Sequence, residues 1–319
     1  MKKFFVITND ASGNLSNRML ADLLQANSVE VVVRRGVSPR LKASLLRLAA
    51  GVLVRLRWSV ERAALLRRLQ KTAKRQRVWL RVPNEACFQL TTTQLCRLKK
   101  SGVQTVLLLI DPLRGNFPSA PKVQESLQAD CWSRVLTFDP EDAARYGFTY
   151  VNTLYSKQEF PPAEAQYDLF YIGSIKDRLA DCLTLIEQLQ ANGVKAWFKL
   201  RGTPAQTAQL PAQNRLEQPL RYEQTAALLQ QADCILEMTQ AGQSGVTLRY
   251  YEAVAYNKKL LTNNPNITRM PFYDARYMKI FNTPQDIDWA WVCNGETPDY
   301  GYTDQFSPLH LTAVLQKED

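Results

Sequence analysis

The sequence predicts an α/β protein of two domains, each built on a parallel sheet with helices on both faces, the two facing each other across a cleft. Three observations predict it. Short apolar runs rich in β-branched residues and leucine alternate with helix-length segments along the chain, the pattern of strands buried on both faces and joined by helical crossovers. Near the middle a polar stretch with paired prolines, Ser156 to Gln166, interrupts the alternation and reads as an interdomain linker. The chain has 319 residues and 45% hydrophobic content, enough for two separate cores.

The elements follow in order. Lys3 to Ile7 reads as a strand, Leu15 to Gln25 as a helix, Val29 to Arg34 as a strand, and Pro39 to Gln76 as one or two basic helices. A strand at Val78 to Val82, a helix at Thr92 to Ser101, a strand at Gln104 to Ile110, a helix around Val123 to Asp130 and a short strand at Arg134 to Phe138 complete the first domain, residues 1–155. After the linker at 156–166, the second domain spans 167–319. It opens with a strand from Tyr167 to Ile172, a turn and a helix from Leu179 to Ala191. Then come a strand at Lys195 to Leu200, a helix at Tyr222 to Gln231 and a strand at Cys234 to Met238. A polar turn, a helix at Thr247 to Tyr256 and a strand at Lys259 to Thr262 follow, and a helix from Pro308 to Lys317 holds the single histidine, His310.

Composition excludes several classes. The opening Met1 to Ile7 is too short for a signal-peptide core, and no apolar run is long enough to span a bilayer. The expected location is the cytoplasm, with a peripheral place on the inner membrane face. Six cysteines without a CxxC pair and one histidine make a zinc site of the usual kind improbable and suggest reduced, mostly buried thiols. Neither GxxxxGK[ST] nor a strand-linked GxGxxG occurs, so NTPase and dehydrogenase readings are poor and no cofactor is expected. Asp286-Ile287-Asp288 matches the DxD pattern of manganese binding, but a surface loop is the better reading and no metal is expected.

The formal charge of +10 is unevenly placed. Between Pro39 and Val78 lie Arg40, Lys42, Arg47, Arg55, Arg57, Arg62, Arg67, Arg68, Lys71, Lys74, Arg75 and Arg77, opposed by Glu61 alone. On a helix, Leu41, Leu45, Leu48, Val52 and Leu56 form one apolar stripe flanked by arginines. That suits a basic amphipathic segment, 39–77, on an anionic membrane surface, and equally a core-facing helix whose arginines are solvated. Few aromatics interleave the cations and no nucleic-acid motif accompanies them, so nucleic acid is not the expected partner.

Chemistry concentrates at the ends of strands. The turn Gly173-Ser174-Ile175-Lys176-Asp177-Arg178 places a glycine, a hydroxyl and two cations there, suited to a diphosphate, or to a solvated turn with a helix cap. A second turn, Gln243-Ser244-Gly245-Val246-Thr247, opens a helix whose N-terminal amides favour an anion. Arg249 adds a cation and Glu252 a carboxylate along that helix. In the first domain, the turn from Thr8 to Asn14, with Asp10 and Gly13, and Asp111 after the strand ending at Ile110 belong on the carboxyl edge, where α/β proteins place ligands. Asp10 and Asp111 are equally plausible as a helix cap or a turn closer.

Tyr167 to Ser174, Gln243 to Val254, Lys258 to Asn264 and Met270 to Tyr273 together resemble bacterial GT-B glycosyltransferases of lipopolysaccharide and capsular polysaccharide biosynthesis. The resemblance covers about the second half of the chain. It implies two Rossmann-like domains facing a cleft, with a nucleotide-sugar donor on the second and a glycan or lipid-linked acceptor on the first, where Gly13 lies in an acceptor-side loop. It also implies that Gly173, Ser174, Lys176, Arg178 and the Gln243 to Thr247 turn face the donor phosphates, with Arg249 beside them and Glu252 on the ribose hydroxyls. Many retaining members carry a glutamate eight positions before the Glu252 equivalent, where this chain has Ser244. If the reaction inverts, Asp10 and Asp111 are the candidate bases. A nucleotide-sugar epimerase of the same fold and a non-catalytic basic adaptor on a membrane surface are the alternatives.

Overall fold

The computed structural model describes residues 3–9, 18–34, 44–114, 119–152, 154–161, 163–240 and 243–317. Asp10, Gly13, Arg40 and Lys42 lie outside the described residues. The chain divides into two compact units, Met1–Ser156 with Ser307–Asp319, and Lys157–Phe306.

The first unit holds a six-stranded sheet in which every pairing is parallel. Its strands are β1 (Lys3–Asn9), β2 (Val29–Arg34), β3 (Val78–Pro83), β4 (Val103–Leu109), β5 (Arg134–Thr137) and β6 (Thr149–Tyr150), in the order β2-β1-β3-β4-β5-β6. Val6 lies beside Val31 on one side and Arg81 on the other, and Leu80 lies beside Thr105. Successive residues of a strand point to opposite faces, so an apolar run fills two cores at once. Phe5, Ile7, Leu80, Val82, Leu107 and Leu109 pack on one face, and Phe4, Trp79, Val106, Leu108 and Leu136 on the other.

Helices cover both faces. On the first, α2 (Ser44–Ala73) contributes Leu65 and Leu69, one turn apart, and α3 (Thr92–Lys100) contributes Leu95 and Leu98. Within the basic stretch, Ser44–Ala73 form one 30-residue helix, about 45 Å long at 1.5 Å per residue. From Arg57 onward its apolar side belongs to the core, with Trp58 also buried. Of the apolar stripe proposed to lie on a membrane, Leu41 is not described, and nothing is described of the side chains from Leu45 to Leu56. Among the described residues no helix is long and apolar enough to cross a membrane. Thr91 starts α3 with a reciprocal capping box to Gln94.

Three of the departures from the sequence reading bear on how the first unit packs. The last helix, α11 (His310–Lys317), buries Leu311 and Leu315 in the second core of the first unit, so the chain end does not belong with residues 167–306. Its approach is fixed by Asp22, whose carboxylate accepts the Ser307 hydroxyl at 2.7 Å and whose amide donates to Ser156 Oγ at 3.0 Å. Cys96 and Cys131 are disulfide-bonded, which corrects the expectation of six reduced thiols. That pairing joins α3 to the segment entering β5, two elements separated by 35 residues, a proximity that only the packed sheet creates. The third departure is the short α5 (Pro140–Tyr146), capped by Asp139, whose carboxylate accepts the amides of Glu141 and Asp142, each at 3.0 Å.

The second unit repeats the plan. Strands β7 (Tyr167–Ser174), β8 (Ala196–Arg201), β9 (Ala232–Glu237), β10 (Lys259–Thr262) and β11 (Met278–Ile280) form a five-stranded, wholly parallel sheet in the order β11-β10-β9-β7-β8. Counted from its own first strand this is 2-1-3-4-5, which is also the order of the first five strands of the other sheet. Helix α6 (Leu179–Ala191) buries Cys182, Leu185, Ile186 and Leu189 against one face, and α9 (Leu248–Ala255) follows β9. Lys259, fully buried, is satisfied by the carbonyls of Trp291 at 2.8 Å and Val292 at 2.9 Å, the C-terminal end of the short helix Trp289–Val292, and by Asn294 Oδ1.

Candidate functional site

In a 2-1-3-4-5 sheet the chain winds outward in opposite directions from strands 1 and 3, and the loops leaving their carboxyl ends diverge to open a crevice. In the second unit those strands are β7 and β9. The loops leaving them are the two turns singled out by sequence, and the topology brings them side by side.

The first turn is built by β7 and β8. Gly173 is required by packing: a Cβ there would overlap the side chain of Tyr171, which is buried against the core. Ser174 ends the strand and accepts a hydrogen bond from Arg201 Nε at 2.8 Å. Ile175 is buried and donates its amide to the Arg201 carbonyl at 2.8 Å, which pins the turn to the end of β8. Lys176 adopts a left-handed backbone at φ +50°, its carbonyl accepts Gln206 Nε2 at 2.7 Å, and its side chain is exposed. Arg178 differs from expectation. Its guanidinium donates to the Ser174 carbonyl at 2.7 Å and to the Met238 carbonyl, so it fastens the β7 turn to the β9 turn.

The second turn is organised by a residue the sequence reading missed. Glu237, the last residue of β9, is fully buried and accepts the Thr247 amide at 2.6 Å through one oxygen and the Thr262 hydroxyl at 2.6 Å through the other. Burial pushes its pKa up, against the opposing effect of the Thr262 and Thr247 hydrogen bonds and of Arg249. Asparagines from the end of β10 complete the frame. Asn263 Oδ1 accepts the Thr239 amide at 2.7 Å, Asn264 Nδ2 donates to the Gly245 carbonyl at 3.4 Å, and Asn266 Nδ2 donates to the Ser244 carbonyl at 3.2 Å. Gln243 also donates to the Gly245 carbonyl, at 3.2 Å, while Val246 is packed at 2% exposure. The Ser244 and Gly245 carbonyls are therefore held by side chains. The Thr247 amide belongs to Glu237, and its hydroxyl caps α9 by accepting the Arg249 amide at 3.2 Å.

Arg249 and Glu252 face each other. Glu252 is fully buried and accepts from the Arg249 guanidinium and from Tyr222 Oη at 3.2 Å. Burial raises its pKa in spite of Arg249 and Tyr222. Arg249 also lies 5.4 Å over the Phe170 ring and donates to the Ile172 carbonyl at 3.4 Å. The pair ties α9 to β7, and in this arrangement both carboxylate oxygens of Glu252 are engaged within the protein.

Chemically the edge offers exposed cations, Lys176 and Arg201, beside a rigid turn at a helix start, which suits a phosphate group. Arg201 and Glu237 were legible only as charged residues closing apolar strands, a signal too common to single them out. Asp286 and Asp288 accept the amides of Thr283 at 2.9 Å and Trp291 at 3.0 Å, as cap residues do.

In the first unit, Asp111 lies just beyond β4 and accepts Asn84 Nδ2 at 2.9 Å. Asn84, buried at the end of β3, also accepts the Ile110 amide at 2.8 Å and so joins the ends of the two strands. Asp111 remains half-buried on the carboxyl edge. Near it, Arg114 contacts Glu141 at 2.6 Å and lies close to Asp139 and Asp142, a cluster absent from the sequence reading.

No protein-family model matches the chain, and no curated protein matches it. Among solved structures, an α-glucosyltransferase in complex with UDP and a 13-mer DNA is similar at TM-score 0.52 and 10% identity, over 99% of this chain and 100% of the other. T4 phage β-glucosyltransferase with UDP-glucose is similar at 0.45 and 12%, over 100% of this chain and 92% of the other. A trehalose-phosphate synthase from Burkholderia vietnamiensis is similar at 0.46 and 12%, over 92% and 90%. At such identities the likeness is one of fold, and the first of the three carries it. The chain has the GT-B fold, two Rossmann-like parallel α/β units, on a sequence far removed from those of these structures.

Proposed function

We propose that this protein is a glycosyltransferase that moves a sugar from a nucleotide-activated donor to an envelope glycan, of the lipopolysaccharide or capsule kind, at the cytoplasmic membrane face. One observation carries the reading: the Arg178 guanidinium, bonded to the Ser174 and Met238 carbonyls, locks the two turns of the second-unit switch point together beside Lys176 and Arg201. A donor diphosphate there meets Lys176, Arg201, Ser174 and the Gln243 to Thr247 turn.

In the transfer the acceptor hydroxyl attacks the anomeric carbon, the bond from that carbon to the diphosphate oxygen breaks, and the nucleoside diphosphate leaves with one more negative charge. Preorganised cations, Lys176 and Arg201, and the dipole of α9 stabilise that charge without a metal. The acceptor proton passes to a carboxylate of the first unit, Asp111 or Asp10. Arg249 and Glu252 position α9 behind the turn. The basic segment 39–77 supplies attraction to anionic lipid.

The test is a panel of nucleotide sugars with lipid-linked and soluble glycan acceptors, reading nucleoside diphosphate release and the fate of the sugar. Acceptor-dependent release, with KM for the donor raised about tenfold in Lys176→Ala, supports the proposal. Unchanged donor kinetics in Lys176→Ala/Arg201→Ala, or a free epimerised sugar as the product, overturns it.

A further inference from the structure

The longest helix and the disulfide-bonded one meet beside the first sheet. Leu65 and Leu69 of α2 and Leu95 and Leu98 of α3 share one core. Next to it the two helices line a solvent-open cavity of about 280 Å³. Ala63, Leu66 and Leu98 are its apolar lining, and its polar lining is Arg62, Arg67, Arg97, Gln70, Gln94 and Ser59.

Three arginines line this cavity and, among the described residues, no acid does. Acids described on and around the two helices are engaged elsewhere: Glu61 pairs with Arg57 at 2.7 Å, Glu30 with Arg68, and Glu125 with Lys122 at 2.9 Å. Arg62 is half-buried and makes one long bond, to the Gln89 carbonyl at 3.4 Å. The side chains of Arg67 and Arg97 form no hydrogen bond or ion pair with any described residue. Gln94 is fixed by its capping role, in which Oε1 accepts the Thr91 amide at 3.0 Å, and its Nε2 donor is left for the cavity. Like charges gathered at one site repel, and a polyanion between them removes that cost. Guanidinium forks match the oxygens of a phosphate pairwise, and here every cation of the lining is an arginine.

We infer that the α2–α3 cavity is a binding site for a phosphomonoester or diphosphate dianion, held by Arg62, Arg67 and Arg97 with Gln94 as a neutral donor. The site shares no residue with the proposed donor site, so it stands or falls independently of the transferase reading. Its ligand carries a terminal phosphate, either on a soluble metabolite or as an exposed lipid headgroup.

The intact protein is titrated calorimetrically with pyrophosphate and with glycerol phosphate. It is also sedimented with phosphatidylcholine vesicles doped with phosphatidate or, at equal surface charge, with phosphatidylserine. Arg67→Gln/Arg97→Gln is expected to weaken phosphate binding about tenfold or more. Lys100→Gln/Lys195→Gln, which removes the same charge from exposed positions outside the cavity and outside segment 39–77, is expected to leave it within about twofold, since a charge that does not touch the ligand is screened by salt. Soluble binding with no preference for phosphatidate assigns a metabolite, and a phosphatidate preference assigns a headgroup. Equal losses in the two double variants, or no binding of pyrophosphate, glycerol phosphate and phosphatidate vesicles alike, overturn the inference. Should the variants misfold, phenylglyoxal footprinting of the unmutated protein decides. Pyrophosphate protects Arg67 and Arg97 but not Arg75, which does not line the cavity, if the site is real, and protects all three or none if it is not.

Discussion

Glu237 and Thr247 are joined by a 2.6 Å hydrogen bond from the backbone amide of the helix-capping residue to a fully buried carboxylate, ten residues earlier in the chain. The other carboxylate oxygen takes the Thr262 hydroxyl, whose oxygen in turn accepts the Asn264 amide at 3.0 Å. One side chain thus sets the distance between the ends of β9 and β10 and the start of α9. Glu237→Ala leaves a buried amide and a buried hydroxyl without their acceptor, which costs about 2–4 kcal/mol, while Glu237→Gln keeps one acceptor and costs less. Urea unfolding of both variants measures this, and equal stability of wild type and Glu237→Ala contradicts it.

The same carboxylate makes stability pH-dependent. Burial raises the Glu237 pKa above its unfolded value, so the folded state holds the proton more tightly. Stability is therefore highest below the ordinary glutamate pKa and falls as pH rises from there through the raised folded value. Glu237→Gln should flatten that part of the profile, with Glu252, raised for the same reason, left to account for what remains. A wild-type profile that rises across this window would refute the assignment.

Arg178 and Lys176 should fail in different ways. Arg178→Ala removes a guanidinium bonded to two carbonyls and should lower the unfolding midpoint, by about 2–3 kcal/mol in free energy. Lys176→Ala, at an exposed position, should leave stability within about 0.5 kcal/mol and act on donor affinity alone. Thermal unfolding and donor titration of each variant separate the two effects.

Arg81 is a buried cation, 1% exposed, with no hydrogen-bond partner among the described residues at any of its three nitrogens and the Phe4 ring at 5.8 Å to favour it. Burial lowers its pKa to about 10. The unfolded chain binds that proton more tightly than the folded one, so the full penalty is present at neutral pH and is relieved only above the lowered pKa. Arg81→Met should therefore raise stability, by about 1–3 kcal/mol. A destabilised Arg81→Met would show that the guanidinium has a partner in solution.

Thiol counting tests the disulfide. With Cys96 bonded to Cys131, the unfolded unreduced protein should titrate four thiols, Cys87, Cys182, Cys234 and Cys293, and six after reduction. Closing a loop of this length stabilises by about 4 kcal/mol on the chain-entropy account, so Cys96→Ser/Cys131→Ser should lose a large part of that. Six thiols before reduction would return the pair to the reduced state.

Much of the architecture was legible in local pattern. Val78 to Val82 and Gln104 to Ile110 are apolar runs too short for helices and too continuous for exposed strands, so they could only be central parallel strands. Both turns of the candidate site were visible as glycine and hydroxyl residues between a strand and a helix. What they bond to was not. Arg178 read as a free cation because sequence does not show that the Met238 carbonyl lies within its reach, and Glu237 read as the end of a strand because its partners come from Thr247 and Thr262. The last helix was misassigned for a related reason, since the apolar spacing of Leu311 and Leu315 says that a face is buried without saying against which sheet.

By itself the sequence determined the α/β class, the alternation of elements, the concentration of positive charge from Arg40 to Arg77 and the two edge turns, because each is written in residue types within a few positions of one another. Tertiary structure alone decided how such charges are partnered. Arg178, Arg249 and Glu252 are bonded within the protein, Arg201 reaches Ser174, and Arg62, Arg67 and Arg97 line one cavity with no acid among the described residues. Such partnerships join residues distant in the chain, and a charge becomes structural or available only when folding determines what lies within hydrogen-bond distance of it.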